Sequence, residues 1–416
     1  MRKRVILALV LVLALLMSTS CSLIIKDEAV DMAPPVIEVA GQTFTKGEVK
    51  AQTEAIHDYN EQMYYYYYGT SYDRTSEAAM ADAQEQAIQS LIESAVVDAK
   101  LAEYGFDSFT EEELAEIEAT AQEDYELYHD TVKNFYFGAS ELTGDELEAA
   151  IQEEMAAMGY PNYEALLEET KYAKSQEKLI AEINKDVTVS EEELTTEYNA
   201  RVESAKASYE AAAYMYGTAL TNGETPYYAP AGYRYVKHIL LQFAEADATV
   251  ISDLENQIAN LAEGEDAAEL NEKLAAAKEQ AYLNLVPTID EINAKLAEGA
   301  EFDALITEYN EDPGMNADSI GYAVCATSVD WVNEFKDASM ALANVGDVSA
   351  PVRSDYGIHI IKYQSDIAEG EIGLENVREA LSAEMQATKE SNNIETSLAQ
   401  WVEEANAVIH EKELNR

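Results

Sequence analysis

Two rhythms of apolar residues divide the chain. Through the first half they recur at helical spacing, as in Leu91, Ala95, Val96, Ala99 and Leu101. That spacing predicts helices over 46–68, 76–104, 110–137 and 143–158. Thr45 with Glu48 forms a capping-box start, Thr110 with Glu113 another, and 162–172 and 188–193 carry similar signals. Before them, 36–45 reads as two short strands around an Ala40-Gly41 turn. The first 215 residues are therefore expected to be mostly helical, with acidic outer faces. The stretch 217–231 holds Gly217, Asn222-Gly223, Pro226 and Pro230 without periodicity, and reads as a linker.

From Tyr233 the rhythm shortens. Residues 233–243 are rich in strand formers and partly alternate, and 348–352 and 357–363 read as strands. Between them lie helical tracts at 249–285, at 288–309 with a glycine stop at Gly299, and at 331–342. A long helical tract over 374–405 follows, and Val408-Ile409 reads as a short strand able to join the N-terminal hairpin. The pattern belongs to the α+β class, a mostly helical region with a strand-bearing domain set into it.

Composition narrows the function. The 416 residues are 47% hydrophobic and 26% charged, enough for a real core, and the formal net charge is −53. A nucleic-acid binder needs a basic face, so that class is excluded, and the charge argues against docking on anionic lipid through protein charge. Two cysteines, Cys21 and Cys325, allow neither a disulfide scaffold nor a cysteine-based metal site. Arg2, Lys3 and Arg4 precede an unbroken apolar run from Val5 to Met17, then Ser18, Thr19, Ser20 and Cys21. This is the order of a secretory signal peptide over 1–20. It resembles a bacterial lipobox in which Cys21 is lipidated, although Ser18 stands where that pattern usually has Leu. Residues 21–35 would be a tether, and the protein would sit on the outer face of the bacterial cell membrane through its lipid anchor.

Three segments carry the chemistry. They are Val236-Lys-His238-Ile-Leu-Leu; Phe302 through Asp312 with Asp318-Ser-Ile320-Gly321; and Glu334-Phe335 through Leu342, Gly346 through Val352 and Tyr356-Gly-Ile-His359. In this order and spacing, 232–366 resembles the parvulin family of peptidyl-prolyl isomerases. The flanking architecture resembles the PrsA-like foldases and SurA-like chaperones. The resemblance implies an FKBP-like α+β domain with an antiparallel sheet at 232–366, a helical insertion at about 246–287, an N-terminal foldase or chaperone region at 36–216, and a C-terminal helix at 367–416 packing back on that region. It implies His238, Asp312 and His359 as the catalytic set. It further implies Ile320, Trp331 and Phe335 as the pocket for the proline ring, with Ser354 and Tyr356 beside the histidines. Two positions depart from the family: Asp318-Ser319 replaces a Gly-Gly pair, and Trp331 stands where Met or a similar residue is usual.

The chemistry suits these residues. The X–Pro bond has little trans preference, but its rotation barrier is about 20 kcal/mol and comes from amide resonance. Lowering it requires no cofactor, metal or nucleophile. It requires an apolar grip on the ring and a site that favours the twisted amide over the planar one. Asp312 would act electrostatically, and the two histidines mainly by fixing strand geometry. Taken singly, each histidine would be structural, Asp312 a turn residue before Pro313, and Trp331 and Phe335 core. The expected partners are unfolded or newly secreted polypeptides, not nucleic acid, and a homodimer is left open. Two rival readings are a non-enzymatic holdase with an inactive parvulin domain and a transporter's solute-binding lipoprotein. The helical first half argues against the second. Two features have no counterpart in the resemblance: the insertion, read as a solvated surface or a partner arm, and the run Tyr64–Tyr68, read as a client groove or as helix packing.

Overall fold

A computed structural model describes residues 32–262 and 265–414. The signal segment, Cys21 and most of the tether lie outside the described residues. The described chain groups into two compact units, 32–188 with 384–414, and 189–383.

The first unit opens with a hairpin, β1 (Pro35–Val39) and β2 (Gln42–Thr45). Both turn residues, Ala40 and Gly41, have positive φ, the turn whose twist matches that of the strands. Five helices follow: α1 (Lys46–Tyr68), α2 (Glu77–Tyr104), α3 (Glu111–Tyr136), α4 (Asp145–Ala157) and α5 (Tyr163–Asn184). The capping boxes at Thr45/Glu48 and Thr110/Glu113 are both formed. Val36, Ile37 and Val39 pack with Val49, Leu91, Ile92, Ala95 and Val96 in one core, against which Trp401 and Val402 also lie.

The second unit begins with α6 (Glu191–Ala211) and α7 (Tyr214–Thr221). The glycine- and proline-bearing stretch is not a loose linker. It contains the end of α7 and β3 (Tyr228–Ala229), and Tyr227, Tyr228 and Ala229 are buried. Its elements are too short to show a period. β4 (Arg234–Gln242) then leads into a hairpin of helices, α8 (Glu245–Ala259) and α9 (Ala268–Ala297). α9 runs unbroken through Pro287, where the sequence suggests a stop. Tyr282 on one side of that proline and Ile289 and Ile292 on the other pack into the same core, which holds the helix across the missing hydrogen bond. α10 (Phe302–Tyr309), β5 (Tyr322–Val324), α11 (Asn333–Ala341), β6 (Val352–Ser354), β7 (Gly357–Asp366) and β8 (Gly370–Glu371) complete the unit. α12 (Leu374–Ala405) starts here and ends in the first unit, where β9 (Val408–Ile409) pairs antiparallel with β1 and α13 (Glu411–Leu414) follows.

The sheet order is β5-β4-β7-β6, antiparallel throughout. Alternation along β4 and β7 gives it two different faces. Ile239, Leu241, Ile358 and Ile360 face α9 and α10, where they meet Ile289, Ile292, Phe302 and Leu305. On the other face Val236 and Ile361 pack with Val324 of β5 and Phe335 of α11. Two buried histidines share this second face.

Candidate active site

Register places the histidines. His238 lies opposite Ile361 and His359 opposite Leu240, so the two are diagonal neighbours on one face. Their rings are within 13° of parallel, and their Nδ1 atoms are 3.1 Å apart. Both side chains are buried. His238 Nε2 is 2.7 Å from Asp312 Oδ2, and His359 Nε2 is 2.7 Å from the Ser354 hydroxyl. With both rings neutral, the protons run in one direction. Ser354 donates to His359 Nε2, His359 Nδ1–H to His238 Nδ1, and His238 Nε2–H to the Asp312 carboxylate. Ser354 Oγ in turn accepts the Tyr356 N–H at 3.2 Å.

Asp312 sits in a tightly specified loop. Its other carboxylate oxygen accepts the Gly314 N–H at 2.9 Å, and Tyr322 OH donates to Oδ2 at 2.8 Å. Asn310 pins this loop to the sheet. Its amide oxygen accepts from the N–H groups of Leu240 and Asp312, and its nitrogen donates to the carbonyls of Asp312 and Met315. The His238 hydrogen bond, with those from Tyr322 and Gly314, holds the Asp312 carboxyl down at about 2 despite partial burial. Burial, and secondarily His238, pushes His359 down to about 4. The Tyr322 phenol is pushed up by burial and by its carboxylate partner. At neutral pH the site therefore carries a carboxylate saturated with donors beside an uncharged His359.

An aromatic shelf adjoins that carboxylate. The Phe335 ring, 2% exposed, meets His238 edge-on at 5.0 Å between centroids and lies 5.3 Å from His359. Trp331 stacks on Tyr322 at 4.4 Å and donates its indole N–H to the Ala323 carbonyl. The structure thus brings together His238, Asp312, His359, Ser354, Phe335 and Trp331. Ile320 does not join their cluster: it is 62% exposed, on a segment in which the Gly321 N–H donates to Ser319 Oγ and Lys237 donates to the Ala317 carbonyl. The Tyr356 side chain is likewise exposed, and only its backbone N–H reaches the histidine chain. Tyr322 and Asn310 escape a reading of the sequence. The only signal for Tyr322 is its place just after Ile320-Gly321, and for Asn310 its place two residues before Asp312.

The four-stranded antiparallel sheet, the paired histidines, the carboxylate and the aromatic shelf fit the parvulin class of isomerase domain that the sequence resembles. Residues 238–365 match the PPIC-type peptidyl-prolyl isomerase (rotamase) domain. Similar proteins include foldases named PrsA. One from Geobacillus sp. (strain WCH70) is 32% identical over 130 residues, 30% of this chain and 45% of that protein. PrsA 2 of Listeria monocytogenes serotype 4b is 34% identical over 127 residues, 30% of this chain and 42% of that protein. The chain thus spans less than half the length of these relatives. Among solved structures, a SurA-like chaperone of Campylobacter jejuni aligns at 17% identity over 72% of this chain and 95% of its own, with a TM-score of 0.25.

Proposed function

We propose that the protein is an extracytoplasmic, lipid-anchored foldase that catalyses cis/trans isomerisation of X–Pro bonds in unfolded exported polypeptides, while its helical region binds the same clients. The observation that carries this reading is the Asp312 carboxylate, held ionised by His238 and Tyr322 beside the Phe335–Trp331 shelf. The shelf would grip the proline ring through apolar contact. The fixed negative charge would disfavour the polar, planar amide, whose carbonyl oxygen is the more negative, relative to the twisted form. The histidines hold this geometry and need not exchange protons with substrate. PrsA-named relatives and the PPIC-type domain support the assignment of substrate class. X–Pro isomerisation takes tens to hundreds of seconds uncatalysed, slow enough to limit the folding of emerging chains.

The test is cis/trans exchange of Ala–Pro and Glu–Pro peptides, followed by NMR with residues 22–416. Wild type is expected to accelerate exchange. Asp312→Asn and Phe335→Leu, checked for folding, are expected to lower kcat/KM by about tenfold or more. A second reading, a holdase with a binding-only parvulin domain, draws on the exposed Ile320 and the Trp331 stacked over Tyr322. Peptide resonances that shift on binding without faster exchange would select it and overturn the first.

A further inference from the structure

Ser354 must present its hydroxyl to His359, yet it is the last residue of β6, a three-residue strand at the edge of the sheet. Strand ends fray, and an edge strand has ladder bonds on one side only. Here the end of β6 is gripped from outside the sheet by one segment of α9. The Glu279 carboxylate takes both terminal nitrogens of Arg353, at 2.6 and 3.3 Å. The Tyr282 hydroxyl donates to the Ser354 carbonyl at 2.9 Å, with the Arg353 guanidinium over its ring. Lys278 bonds Asp355 at 2.7 Å and Glu255 of α8 at 2.9 Å. Three consecutive residues of the β6 end are thus held by side chains at positions 278, 279 and 282. On α8, Asp247 accepts from Asn284, which ties the two helices together beyond Lys278.

We propose that the helical hairpin α8–α9 is a clamp on β6, in which Tyr282, Lys278 and Glu279 are positioning residues that hold the Ser354 hydroxyl on His359 and so fix the direction of the imidazole hydrogen-bond chain. This gives the insertion a task inside the isomerase unit, where a solvated arm would have none. The Tyr282 bond is the central grip, because it is buried and neutral, whereas the Lys278 and Arg353 pairs are exposed and individually weak. The groups facing His359 are His238 and Leu240 from β4, Val352 and Ser354 from β6, Phe335 from α11 and, through His238, Asp312. None of them belongs to the hairpin, so the clamp acts on His359 only through Ser354.

The consequence for turnover rests on the isomerase reading; the effect on His359 does not. Long-range proton–nitrogen spectra of the imidazoles report tautomer and protonation directly. In the full chain, His359 is expected to carry its proton on Nδ1. In Lys278→Gln/Glu279→Gln/Tyr282→Phe it should populate both tautomers. Water admitted beside Ser354 should raise the His359 pKa above about 4, since burial is the main cause of the depression. Peptide exchange should slow by about fivefold, the loss expected of one neutral hydrogen bond. In a Ser354→Ala background the triple change should add nothing, as coupling through Ser354 requires. A folded triple variant with the wild-type tautomer and pKa overturns the clamp, as does additivity with Ser354→Ala. Should the triple variant not fold, Tyr282→Phe alone, which keeps the ring in the core, carries the same readouts at smaller amplitude. If wild type fails to accelerate exchange, the isomerase reading falls while the imidazole spectra still decide the clamp.

Discussion

His359 and Asp312 are each harder to protonate in the folded chain than in the unfolded one, and this couples the site to acidity. For His359 the ordinary value of 6.5 falls to about 4. As pH drops through 6.5 the unfolded chain takes up the proton first, so stability declines until about 4 and is level below. For Asp312 the window lies lower, from 3.8 down to about 2, where its contribution is lost. The two losses have the same sign and follow one another. His359→Gln should therefore flatten the wild-type fall in urea midpoint between about pH 7 and pH 5, an interval in which the Asp312 contribution is constant. Equal slopes in the two proteins would remove the assignment. The members of this site were legible to different degrees. His238, Asp312, His359 and Ser354 stand in recognisable local strings. Tyr322 and Asn310 matter through partners fixed by sheet register and loop closure, which no local string encodes. Ile320 was placed in the pocket by its motif, but the bonds of its own segment leave it exposed.

At the scale of elements, the pairing of β4 with β7 carries the site, and it depends on one close approach. Gly357 opens β7 with φ of +134°, and a Cβ there would lie 2.0 Å from the Leu241 carbonyl oxygen. Leu241 and Gln242 pair with Ile358 and Gly357, so relief of that clash must open the ladder two positions from His359. Gly357→Ala is expected to destabilise the second unit by about 2 kcal/mol or more, read as a lower denaturant midpoint of Trp331 emission in a Trp401→Phe background. An unchanged midpoint would mean that the backbone yields there without cost. Other elements show why pattern reading reaches strands and helices unequally. The capped helices of the first unit announce their starts. In α9, tertiary packing on both sides of Pro287 overrides the local stop. β6 falls at Val352–Ser354, later than the strand read at 348–352; Val348 keeps only an isolated bridge to Lys362.

At the scale of the whole molecule, a chain of net charge −53 exposes a run of large aromatic rings. Five consecutive residues sweep more than one turn of α1, so Tyr64–Tyr68 cannot all face one neighbour. Tyr64 packs against Tyr68 and Tyr72, whereas Tyr65, Tyr66, Tyr67 and Tyr68 are 67–78% exposed. Solvated carboxylates keep such a surface soluble, and tyrosine offers adaptable apolar and hydrogen-bonding contact to a chain without fixed shape. A client-binding role for this end of α1 makes a definite prediction. Replacing Tyr65–Tyr68 with serine removes side chains that make little contact with the core, so the variant should fold with an unchanged helical signal. Its suppression of aggregation by a denatured client should nevertheless fall several-fold at equal concentration. Peptide exchange at the proposed Asp312 site should stay at the wild-type rate, because that site is built wholly from residues 189–383. If the acidic surface also recruits clients, suppression with a basic client should weaken as salt rises through about 0.15 M, where screening becomes effective over about 8 Å, and an acidic client should show no such weakening. Full suppression by the folded serine variant would return the tyrosines to a packing role and leave client binding to other surfaces.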